Sequence, residues 1–121
     1  MPNEKMSFSL PNGVVPNKVY LQGVWKSNRD NMELISDTGK VVLDYNAKAV
    51  NIVAAGDSRL TIKFDNALID SSNYGKDVHD AKVSVSEERL YNLVFSEEYG
   101  KHVIEIGVEG KGFNLYTFTF G

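Results

Sequence analysis

Catalysis or metal binding in this chain would have to start from His79 and His102, its two histidines, and from the carboxylates around them. The two fall in different elements and lack a helical His-Glu-His spacing. His102 shares a strand face with Ile104, so each reads as a structural histidine, because metal and acid–base sites gather several such groups. Serines are plentiful, yet none sits in a Gly-x-Ser-x-Gly elbow. Gly107, Gly110 and Gly112 match a phosphate-binding loop by letter count, but a strand hairpin is expected to hold them and no helix N-terminus follows. Glu97 and Glu98 are adjacent and would diverge on a strand or a turn, whereas paired acid–base work needs two carboxyls converging on one bond. The reading is therefore non-catalytic, with no cofactor and no metal. A small hydrolase has only scattered histidines and carboxylates in its favour.

Acidic and amide groups do concentrate in the loop from Asp70 to Asp80. Calcium takes about six to eight oxygen ligands, and Asp70, Asn73, Asp77 and Asp80 could supply several. Their spacing matches no calcium loop, and turn formation is the ordinary use of Asp and Asn.

Recognition chemistry has better candidates. Aromatic rings stack on the apolar face of a sugar or on a protein partner while a hydroxyl or amide fixes the polar edge. Trp25 follows Gly23 and precedes the polar run Lys26 to Asn31, so it either displays its ring at a strand end or plugs the end of the core. Arg89 and Tyr91 stand two apart on one strand and share a face; Arg89 could pair with a carboxylate of the domain as readily as with a partner. With Tyr74 and Lys76 of the acidic loop, these make Trp25, Tyr74, Lys76, Arg89 and Tyr91 the expected ligand contacts.

The elements that must position them are strands. Leu60, Ile62 and Phe64 alternate with Thr61, Lys63 and Asp65, the mark of a strand with one dry and one wet face. The end of the chain reads as two strands joined by Glu109-Gly110-Lys111-Gly112, with Tyr116, Phe118 and Phe120 lined along one side as core residues. Ala49 to Ala55 is apolar almost throughout, as expected of a central strand covered on both sides or facing a neighbouring domain. Further strands are expected over 18–24, 32–35, 40–45, 59–65, 82–85 and 89–95. Ser96 to Gly100 alone looks like a helical turn. About nine short strands without supporting helices point to an all-β antiparallel sandwich of jelly-roll type, with a closed barrel as the alternative. Residues 1–17 hold all three prolines and read as an arm or linker ahead of a single domain over 18–121.

Composition sets the outer limits. A chain of 121 residues can bury a core without staples, and with no cysteine it has neither a disulfide nor thiolate chemistry. Thirteen basic against 16 acidic residues give a net charge of -3 with no basic cluster, which argues against nucleic acid. No export signal and no run long enough to insert into a membrane is present. That fits either a free cytoplasmic protein or a piece of a longer exported chain.

The order Leu21-Gln-Gly-Val-Trp25, Tyr45-Asn-Ala-Lys48-Ala-Val50, Arg89-Leu-Tyr-Asn-Leu93 and Gly112-Phe-Asn-Leu-Tyr-Thr-Phe-Thr-Phe-Gly121 resembles the C-terminal domain that follows a thioredoxin-like domain in DipZ-type proteins. The resemblance implies a carbohydrate-binding-module-like jelly roll attached to an extracytoplasmic thiol-disulfide protein. The cysteine pair of such proteins belongs to the thioredoxin-like domain, so this piece has no redox chemistry of its own. Two roles follow as expectations: a non-catalytic module that recognises a glycan or a protein, or a structural domain that packs against the thioredoxin-like domain with no free ligand.

Overall fold

The computed structural model describes residues 5–121; the start of the arm, with Pro2, lies outside them. The described residues form nine strands: β1 (Lys5–Phe8), β2 (Val19–Ser27), β3 (Met32–Leu34), β4 (Thr38–Ala55), β5 (Ser58–Phe64), β6 (Ala67–Leu68), β7 (Lys82–Val85), β8 (Arg89–Glu109) and β9 (Asn114–Phe120). A single 3-10 turn spans Ser71–Asn73. The fold is all-β, and every pairing between strands is antiparallel.

Two long strands organise it. Along one edge of β4, Lys40 to Leu43 pair with β2, while Val50 to Ala55 pair with β9; along the other edge, β8 follows almost its whole length. The first half of β4 thus belongs to a layer with β1, β2, the second half of β8, β5 and β7. Its second half belongs to a layer with β9 and the first half of β8. The two layers of the expected sandwich are halves of one continuous sheet rather than separate sheets. Because β3 pairs with both β2 and β9, the circuit β2–β3–β9–β4 closes on itself, as in a barrel.

One core serves both layers because the long strands change face midway. Val41, Leu43, Tyr45 and Ala47 are buried, and then Val50, Ile52 and Ala54 are. The inward positions switch from odd to even where the register slips between Ala47 and Ala49. In β8 the switch lies at Leu93 and Val94, both buried, where the register skips a residue, and Ile104, Ile106 and Val108 continue the inward series. An inserted residue moves every later side chain to the opposite face, so a bulge is what lets one strand line the same core twice.

Four expectations are corrected. The separate strands at 40–45 and 49–55 are one strand, as are 89–95 and the start of the closing segment. Ser96 to Gly100 is not a helical turn but the inner part of β8, opposite the slip in β4, where the intervening residues bow out. The glycine bend after Glu109 does not close a hairpin: β9 pairs with β3 and β4, and the bend carries the chain from one layer to the other. Gly110 and Gly112 both hold positive φ there, at 144° and 96°, a conformation that side chains disfavour. Finally, the closing strand enters the core through Leu115, with Phe113 of the bend beside it. A register skip at Tyr116 puts Phe118, opposite Ile52, and Phe120, opposite Val50, on the same inward side as Leu115, with Phe118 half-buried against the core and Phe120 at its rim.

Candidate functional site

The outer face of the second layer is the site that the structure assembles from the region singled out in the sequence. Opposed residues in an antiparallel pair share a face, so Thr117, Val53 and Leu90 make one cross-strand row and Thr119, Asn51 and Asn92 the next. Ala49 and Phe95 continue it. Asn92 donates its side-chain amide to Asn51 at 2.7 Å. Large apolar side chains stand uncovered here: Leu90 is 43% and Phe95 53% exposed. These rows carry no charged residue and mix apolar side chains with amides and hydroxyls, and a groove of about 370 Å³ runs past Asn51, Asn92 and Phe95 to Tyr74 and Lys76.

The wall of that groove is the acidic loop, pinned along β8. Tyr74 bridges Val94, Gly75 donates its amide to Leu93 and Asp77 donates its amide to Asn92. Gly75 is needed because a β-carbon there would overlap the backbone of Asn92 and Leu93. The Asp77 carboxylate accepts the Asn92 amide at 2.7 Å and the Arg89 guanidinium at 3.0 Å. Desolvation alone would raise the Asp77 pKa, but the Arg89 hydrogen bond, the Asn92 amide and nearby positive charge outweigh it and hold the carboxyl below its ordinary value. Two other polar groups of the loop are engaged locally: the Asp70 carboxylate caps the 3-10 turn by accepting the Ser72 amide, and the Asn73 amide nitrogen donates to the Phe95 carbonyl and the Ser96 hydroxyl.

The five residues expected as contacts separate into three situations. Tyr74 and Lys76 line the groove, Lys76 exposed at its lip and Tyr74 half-buried with its hydroxyl taking the Ala81 amide. Arg89 lies beyond the loop, its guanidinium 3.9 Å from the Tyr91 ring centroid and paired with Asp77. Tyr91 is buried beneath it, accepting the Ser86 amide and donating to the Glu87 carbonyl. Trp25 is 0% exposed, its indole N–H given to the Gln22 carbonyl and its ring edge-on to Phe113. Neither Trp25 nor Tyr91 presents a ring face to a ligand, because apolar packing on the inward side of a strand outweighs display. Sequence reasoning missed Phe95, Leu90, Asn51 and Asn92. The available signal was the unbroken apolar run Ala49 to Ala55, whose second face is this surface.

The histidines stand elsewhere. His102 Nδ1 is 2.6 Å from Asp65 Oδ2, and the other oxygen of Asp65 accepts the Val103 amide, so the pair ties the end of β5 to β8. His79 is almost fully exposed beside Asp80. Among the described residues, no cluster of three His, Asp or Glu is placed to hold a metal, and no helix is long and apolar enough to cross a membrane.

A family model described as the thioredoxin-like C-terminal domain matches residues 1–121. The chain belongs to that family. No curated protein matches it. Membership makes the chain an accessory domain of a thioredoxin-like protein.

Proposed function

We propose that this thioredoxin-like C-terminal domain is a non-catalytic docking module, and that the outer face of its second layer seats the thioredoxin-like domain of the same protein. The observation that carries the reading is the Val53, Leu90 and Phe95 surface beside the Asn51–Asn92 pair. Apolar side chains at the centre with amides and hydroxyls around them match the anatomy of a protein interface, in which buried aromatic residues dominate the binding energy. Family membership supplies the partner. By the same reading the assembly is extracytoplasmic, as in the DipZ-type proteins that the sequence resembles, and thiol-disulfide exchange resides wholly in the partner domain.

The test is a calorimetric titration of the chain with a separately expressed thioredoxin-like domain from a protein of this family. Association is expected, and Phe95→Asp should weaken it at least about tenfold, as loss of a central aromatic contact does. Lys26→Ala, on a strand of the other layer, should leave it unchanged. Equal affinity for the Phe95→Asp variant would refute the reading.

A further inference from the structure

We propose a second, separate binding site: an open trough on the outer face of the first layer that takes an oligosaccharide. The trough has a volume of about 590 Å³, within roughly the 300–1,000 Å³ usual for small-ligand clefts. Its floor is one cross-strand row, Gln22, Lys40, Gly107 and Thr61, contributed by β2, β4, β8 and β5.

Gly107 carries the argument. Glycine inside a strand weakens it, and it is found there where the backbone needs a positive φ, where something packs too close for a β-carbon, or where a ligand must approach. The neighbouring glycines have structural reasons: Gly23 holds a φ of 111°, and a β-carbon on Gly39 would run into the Leu34 side chain and the Gln22 carbonyl. Gly107 has neither. Its φ is not positive, and a β-carbon would meet Thr61 at 3.7 Å, an ordinary contact. Neither explanation applies, and the register runs unbroken through Gly107 on both edges, so it marks no bulge either; this points to an open floor as the reason for glycine here.

The lining sets the class of ligand. Gln22, Thr61 and Thr38 offer an amide and two hydroxyls that none of the hydrogen bonds among described residues uses. Lys40 and Glu109 add a donor and an acceptor of opposite charge, and beside the trough Glu105, 3.9 Å from Lys40 and 3.8 Å from Lys63, balances Lys63. A mixed, nearly neutral set of donors and acceptors suits a hydroxyl-rich ligand and disfavours a polyanion. Phe8, half-buried against the core, closes one end of the trough. An extended peptide could not add a strand along the floor of the trough, because β4 and β8 are paired on both edges there and β5 lies between β8 and β7.

The test is a printed array of neutral hexasaccharides of glucose, xylose, mannose and N-acetylglucosamine. Calorimetric titration of the best-retained sugar into the parent chain and into Gly107→Val follows. The chain should retain at least one sugar, and amide resonances of Lys40, Gly107 and Thr61 should shift on titration. Gly107→Val should bind at least about tenfold more weakly, since its methyl groups occupy the floor, with a Tm no lower than the parent's. If the valine variant does not fold, Gly107→Ala adds a single methyl group and must also weaken binding. Retention of no sugar, retention of peptides instead, or unchanged affinity in the folded variant would overturn the proposal. Phe95→Asp must leave sugar binding intact, which separates this site from the docking face.

Discussion

Asp77 is the residue on which the wall of the docking groove depends, and its removal has a calculable cost. Asp77→Ala deletes the carboxylate that accepts the Asn92 amide at 2.7 Å, and the side chain is only 18% exposed. A hydrogen bond to a charged group contributes roughly 1.5–3 kcal/mol, and that is the expected loss. The Arg89 pair faces solvent and is left out of the sum. Asp77→Asn keeps an oxygen that can accept the amide but loses the charge, so it should fall between the parent and the alanine variant. Because the folded-state pKa of Asp77 is depressed, its stabilisation is fully present above the unfolded carboxyl value, roughly 4, and is lost as pH falls through the lower folded value. Urea denaturation at pH 7 should show the full deficit of Asp77→Asn, and a second series at a pH below the unfolded value should show a smaller one, shrinking toward zero as pH falls further. A deficit under about 0.5 kcal/mol at pH 7, or one of equal size at both pH values, would refute the reasoning.

Further outcomes follow from packing. Trp25→Ala should cost about 3–5 kcal/mol, read by denaturant melts, because the ring is fully enclosed against Phe113. Tyr45→Phe should be neutral or stabilising in the same assay: the buried hydroxyl has no hydrogen-bond partner, and burial, with the Asp65 charge as a smaller cause, raises its pKa. Gly75→Ala should cost about 1–3 kcal/mol and speed hydrogen exchange in the loop, since the added methyl group forces the loop away from β8.

Period-two patterning was enough to read the class of fold and much of the core. Leu60 and Ile62 are inward as their alternation demanded, and so are Ile104, Ile106 and Val108. Bulges were not legible. A one-residue slip leaves no mark in composition, yet it joins 40–45 to 49–55 and turns the later side chains over. The same blindness set Leu115 on the face opposite Phe118 and Phe120, when the skip at Tyr116 brings all three to the inward side. The count of nine strands was reached by compensation: two pairs of expected strands merged, while the edge strand β1 in the arm and the two-residue β6 were unforeseen. For the site, the loop was found because its residue types are unusual, so Tyr74 and Lys76 fell in the groove. Trp25 and Tyr91 were taken for contacts because residue type says nothing of which face a strand turns outward. Phe95 was overlooked because a phenylalanine beside a run of core residues looks like one of them until register shows it opposite Ala49 on the outer side.

The docking face is tested most directly by an NMR titration of the isotope-labelled chain with an unlabelled thioredoxin-like domain of this family. The account predicts shifts concentrated at Asn51, Val53, Leu90, Asn92 and Phe95, with Lys40 and Gly107 on the opposite layer unmoved. Shifts confined to the Lys40 and Gly107 face, or none at saturating partner, would contradict it.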